Sequence, residues 1–323
     1  MIRTLAGLMC FLICLPTIHA GSETDYKKEF EALKARVLKL ENELKELRNQ
    51  LKELKSGKEP SEPNTEPKFA VSRELKITIQ PGPWNAGPAD LRVVCLSAAK
   101  ELWKHCPDRK LAAMRVKHTK GPPMVLFNRG PEGEYRVLLN VGGQFWAQCA
   151  YQFGHEFCHI LCNYRGAKNP NLWFEESLCE TASLFVLRSM AKTWKTNPPY
   201  SNWKSYSLAL QDYADKRMNR FKVAEGKTLA DWYRDNKEVL RKTATDRNRN
   251  QIVAEAVLPL LEANPKHWQA VGFLNQGKAD PDASFEDYLR DWYKRTPVEH
   301  KPFVANVAGL FDIKVKSDSS RNP

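Results

Sequence analysis

Between Tyr26 and Leu54 the apolar residues fall at Tyr26, Phe30, Leu33, Val37, Leu40, Leu44, Leu47, Leu51 and Leu54, alternating steps of four and three with charged residues between. This spacing predicts a coiled coil over residues 21–56. With Phe30, Val37, Leu44 and Leu51 at position a, the interchain pairs Glu29/Lys34, Arg36/Glu41 and Glu43/Arg48 are all opposite in sign, which favours a parallel, in-register oligomer. Residues 57–68 then hold three prolines, several charges and no large apolar residue, the composition of an extended linker.

Beyond the linker the period changes. Leu75–Ile79 alternates like a strand, and Ala89–Cys106 carries apolar residues at helical spacing. Ala113–His118, Met124–Phe127 and Tyr135–Val141 read as strands separated by Gly/Pro turns. From residue 145 onward the signals are helical: Phe145–Asn163, Trp173–Met190, Tyr206–Met218, Asn250–Glu262 and Ser284–Arg295, the last opened by a Ser284/Asp287 capping pattern. The expectation is one α+β domain over residues 69–323, a small sheet followed by a mostly helical part.

Composition narrows the setting. A basic start, an apolar run from Leu5 to Ile18 and the small residues Ala20-Gly21 form a signal-peptide pattern over residues 1–20, which implies a secreted or periplasmic protein. Export leaves Cys95, Cys106, Cys149, Cys158, Cys162 and Cys179 able to form up to three bridges or to remain as small core residues. Cys95 and Cys106 share one predicted helix, too far apart along it to pair with each other. The formal charge is +12, and residues 181–250 hold 15 Lys or Arg against 7 Asp or Glu. That excess suits a solvated helical face or an anionic polymer or surface; no specific nucleic-acid motif accompanies it. In the stalk, Arg36-Val37-Leu38-Lys39-Leu40-Glu41 fits a short pattern of three-stranded coils, leaving trimer and dimer both open.

Candidate chemistry sits on the first of the later helices. His155-Glu156-Phe157-Cys158-His159 is an HExxH sequence. At 100° per residue the two histidines lie about 40° apart on one face, so both imidazoles can reach one ion, and Glu156 is offset beside it, where it can take a proton from metal-bound water. A catalytic zinc ion needs a third protein ligand and an open position. Glu176 and Glu180 share a helix face downstream, one to bind the ion and one to fix a histidine tautomer, whereas Glu175 is turned by about 100° from Glu176 and is expected to do little.

The stretch Asn171-Leu172-Trp173-Phe174-Glu175-Glu176-Ser177-Leu178-Cys179-Glu180 resembles the Trp-x-x-Glu-Gly-x-x-Glu sequence of gluzincin zinc peptidases. The resemblance covers about 35 residues, from Ala150 to Ser183. Two departures stand out: Glu176 follows His159 by 17 positions rather than 19 or 20, and Ser177 replaces a common Gly. It implies a zincin-like fold with His155, His159 and Glu176 binding Zn2+, Glu180 holding His155, and Glu156 as base in hydrolysis of a peptide or protein substrate. A metzincin pattern is excluded by Cys162 and Arg165, and the Gly-x-Met-Glu-Asn sequence of the aminopeptidases is missing. The oxyanion donor is left unassigned among Tyr200, Tyr206, Tyr213 and Tyr233. The competing expectation is a catalytically inactive, zinc-binding oligomeric scaffold of the envelope.

Overall fold

A computed structural model describes residues 70–218 and 220–315. The chain divides into two units, Met1–Glu66 and Pro67–Pro323, and everything described here belongs to the second. The signal peptide, the coiled coil and the linker lie outside the described residues.

Four strands form one sheet in the order β1-β2-β4-β3, with β1 at Ile77–Ile79, β2 at Met114–His118, β3 at Met124–Val125 and β4 at Tyr135–Leu139. Strands β1, β2 and β4 are parallel, in the register Ile77↔Met114↔Tyr135. The crossover from β1 to β2 is α1 (Pro88–Trp103), whose Pro88 suits the first helical turn, where its missing N–H is not needed. It buries Leu91, Val94, Cys95, Ala98 and Leu102. Strand β3 is antiparallel to β4 and lies at the sheet edge.

The helical part begins with α2 (Trp146–Leu161) and α3 (Leu172–Thr196). Gln152 of α2 accepts from the Asn140 N–H and donates to the Asn140 carbonyl, each at 2.9 Å, which fixes the helix to the residue just after β4. The two helices pack closely because α2 has no side chain at Gly154: a Cβ there would lie 3.3 Å from Cγ2 of Val186 on α3. Helix α3 is buried on every side between Ser177 and Leu187, as befits a helix central to a core.

Further helices follow, α4 (Ser207–Arg217), α5 (Leu229–Lys242), α6 (Arg247–Ala263), α7 (Trp268–Val271), α8 (Phe285–Arg295) and α9 (Lys301–Gly309), of which α4 and α6 pack most extensively on α3. Aromatic side chains join them. Trp173 stacks on Tyr233 of α5, and Phe174 meets Phe285 and Trp292 of α8 and also Phe311. Among the described residues no helix is long and apolar enough to cross a membrane.

The α+β class and the order of the elements follow the sequence pattern. The differences have local causes. Helix α3 runs past Met190 to Thr196 because Trp194 is buried in the core. Helix α5 goes unpredicted because its buried positions, Ala230, Trp232 and Leu240, are sparse among charges, although a complete Thr228/Asp231 capping box marks its start. All six cysteines described are free and buried, so the bridges allowed by export are not formed here.

Phe174 is fully buried and links α3 to α8. Phe174→Ala is expected to cost about 3–5 kcal/mol of stability, the usual cost of emptying an aromatic site. Urea unfolding followed by circular dichroism measures it, and a loss below about 1 kcal/mol, the size of an ordinary substitution, would show that this cluster does not hold α3 in place.

Candidate metal centre

Helix α2 presents His155, Glu156 and His159 to a cleft of about 510 Å³, and the first turns of α3 present Glu175, Glu176 and Glu180 to the same space. The Glu176 carboxylate spans the two imidazoles, with Oε2 3.2 Å from Nε2 of His155 and Oε1 3.7 Å from Nε2 of His159. The opposite ring nitrogens are also engaged. Nδ1 of His155 lies 3.7 Å from Oε2 of Glu180, and Nδ1 of His159 lies 2.6 Å from Oε1 of Glu175. Each ring therefore turns Nε2 toward a shared point and leaves Nδ1 to a carboxylate, an arrangement that fixes tautomer and orientation for metal binding.

Glu175 departs from the expectation. Its 100° offset from Glu176 points it along the flank between the helices, where His159 lies, and it is 2% exposed. Its other oxygen accepts from Nδ2 of Asn275 at 2.7 Å, and Asn275 in turn accepts from the Tyr288 hydroxyl at 2.9 Å. Asn275 and Tyr288 come from the loop before α8 and from α8 itself, a hundred residues away, so helical spacing could not reveal them. The one sequence signal was Glu175 sitting among Trp173, Phe174 and Leu178, a setting in which an acid needs a partner. Glu180 is supported similarly by the hydroxyl of Tyr151.

Electrostatics follow from crowding four carboxylates around two imidazoles. Burial disfavours charge on His155, but its bonds to Glu176 and Glu180 and the charges of Glu156 and Glu176 outweigh that and hold its pKa up at about 10. Burial likewise opposes charge on His159, and Glu175 and Glu176 overcome it, giving about 9. Burial also acts against charge on Glu176, yet the two histidines draw its pKa below the usual carboxylate value. Glu156 is 2% exposed, and desolvation raises its pKa despite the histidines. The centre thus stabilises two positive charges on its imidazoles, which one divalent cation can replace.

His155, His159 and Cys179 form a group whose donor atoms lie close enough together to hold a metal ion. Two side chains of α3, Cys179 and Glu176, can therefore serve as the third donor. Glu176 lines the cleft and is 15% exposed at the side chain, whereas Cys179 is fully buried and does not line it. Glu176 is the donor that is both ionised and open to solvent.

One wall of the cleft is the Pro122–Phe127 segment containing β3; Tyr213, Arg217 and Arg247 also line it. Arg217 lies 4.5 Å above the Tyr151 ring and donates to the Tyr213 hydroxyl at 2.9 Å. Of the four candidate tyrosines, only Tyr213 lines the cleft. Tyr206 is bonded to the backbone of Ala147 and Gln144, Tyr233 is packed against Trp173, and Tyr200 stands edge-on to Trp203. In comparisons with known proteins, no protein family matches the chain, and no curated protein or solved structure is detectably similar to it. The functional reading accordingly rests on the chemistry of this cleft.

Titration of divalent cation against a chromogenic chelator should rank the three acids of α3. Glu176→Ala is expected to lose most affinity, while Glu175→Ala and Glu180→Ala should each weaken it about 10–100-fold, as removal of a partner behind a ligand does. Wild-type affinity in Glu175→Ala would contradict its role at His159.

A pH dependence follows as well. Folding raises both imidazole pKa values from about 6.5, so in metal-free protein their stabilisation is complete below that pH and is lost as pH rises through about 9 and about 10. Glu176 acts in the opposite sense, its contribution being lost as pH falls through the carboxylate range. Thermal unfolding of chelator-treated protein should therefore show Tm declining toward alkaline pH, and bound divalent metal, which needs neutral imidazoles, should remove that decline. Identical slopes with and without metal would refute this.

Proposed function

We propose that the chain is a zinc-dependent hydrolase of peptide or amide bonds, built on a zincin-like domain. The observation that carries this reading is the Glu176 carboxylate held between the two Nε2 atoms, with Glu156 beside them in an open cleft. Two imidazole nitrogens and one carboxylate oxygen, with one side open, suit a catalytic zinc ion better than a closed structural site or an all-oxygen magnesium or calcium site. Zinc bound there supplies a Lewis acid that polarises a carbonyl and lowers the pKa of a water molecule.

The protein's own groups supply the rest. Glu156 takes the proton of the attacking water and delivers it to the departing amine; its raised pKa brings it nearer to neutral, which suits a group that must both accept and release a proton. Glu175 and Glu180 hold the two histidines. Tyr213 accepts a hydrogen bond from Arg217, leaving its own O–H to donate to the carbonyl oxygen as negative charge develops there. Strand β3 pairs with β4 on one side only, and an extended peptide can add along its free edge, with its scissile bond near the zinc.

Glu156→Gln tests the reading. It removes the base and leaves the ligands, so the variant should retain about one zinc per chain by elemental analysis while cleavage of a mixed peptide library falls by about 10²–10⁴-fold. Wild-type turnover in this variant, or no chelator-sensitive cleavage by the zinc-loaded parent, would overturn it.

A further inference from the structure

Behind the histidine pair, on the side away from the cleft, three thiols meet. Cys158 lies on α2 and Cys162 caps the C-terminus of that helix one turn on, with their sulfurs 4.0 Å from each other, and Cys179 reaches them from α3, all three sulfurs falling within 4.8 Å of one another. All three residues are fully buried, and none lines the cleft. The Cys158 sulfur also contacts the Leu178 carbonyl, at 3.6 Å. The proposed hydrolysis uses none of these sulfurs.

We propose that Cys158, Cys162 and Cys179 form a second, closed metal site that takes one thiophilic monovalent cation, Cu(I), in three-coordinate geometry. The spacing is the first argument. A metal–sulfur bond of about 2.3 Å in a trigonal arrangement sets the sulfurs about 4.0 Å apart, the separation found between Cys158 and Cys162. A disulfide requires about 2.05 Å, roughly half of it.

Ligand number and softness give the second argument. Structural zinc takes four protein ligands and catalytic zinc three plus water, but here there are three buried sulfurs, none of them lining the cleft. Thiolates alone select soft ions such as Cu(I), and Cu(I) accepts three of them without a fourth ligand. The thiols release protons to solvent as the ion binds. Cys179 also lies near His155 and His159, so the two centres adjoin. Ligand type separates them, with nitrogen and oxygen on the cleft side and sulfur behind it.

The test is anaerobic titration of the full chain with Cu(I) against a chromogenic Cu(I) chelator, on wild type and on a His155→Ala/Glu176→Ala variant. Both should retain one copper per chain. Copper-edge X-ray absorption of the wild type should report three sulfurs at about 2.3 Å. Cys162→Ala and Cys179→Ala should weaken binding more than the roughly 10–100-fold expected of an outer partner, while Cys95→Ala, which alters a thiol near Cys149 instead, should leave it unchanged. Failure to hold copper against the chelator, a nitrogen or oxygen shell, a two-sulfur shell, or equal affinity in Cys179→Ala would each overturn the proposal. The absorption measurement decides the matter on wild-type protein even if the cysteine variants do not fold.

Discussion

One carboxylate between two imidazoles is the interaction on which the rest depends. Glu176 approaches Nε2 of both histidines, and three more glutamates stand around the same pair. Four acids beside two rings, three of them buried, raise the imidazole pKa values to about 10 and about 9, so that the metal-free centre draws in two protons. A divalent cation that displaces both leaves the total charge unchanged. The surplus of acid leaves the site able to hold a dication, and burial strengthens the effect because charges in a low-dielectric interior are poorly screened.

The fold serves this arrangement by bringing α2 and α3 together and holding them in register. Gly154 permits the close approach to Val186, and Gln152 pins α2 to the residue after β4. The aromatic cluster around Trp173 and Phe174 anchors the start of α3, the segment that carries all three acids opposite the histidines. The parallel part of the sheet supports α2, and the antiparallel edge strand β3 forms a wall of the cleft.

Much of this was legible from spacing alone. The 3.6-residue period put His155 and His159 on one face and Glu176 and Glu180 on another, and the structure brings the two faces together. Helical geometry gives an angle within one helix and not the position of the neighbouring helix, so it does not show that Glu175, turned from Glu176, meets His159. Asn275, Tyr288 and Arg217 could not be found by spacing, since they reach the site or its supports through tertiary packing. Helix α5 was missed for a different reason, its few buried residues being too sparse to make a period. Spacing leaves the cysteines open between bridging and packing, and only the structure groups Cys158, Cys162 and Cys179.

Under the proposed function, the two imidazoles and the Glu176 carboxylate, and not the adjoining Cys179, bind one zinc ion. Zinc-edge X-ray absorption on protein loaded with one equivalent of zinc tests this directly. The expected shell is nitrogen and oxygen alone at about 2.0–2.2 Å, with two imidazoles and no sulfur. A sulfur contribution at about 2.3 Å, or a shell without two imidazoles, would contradict it.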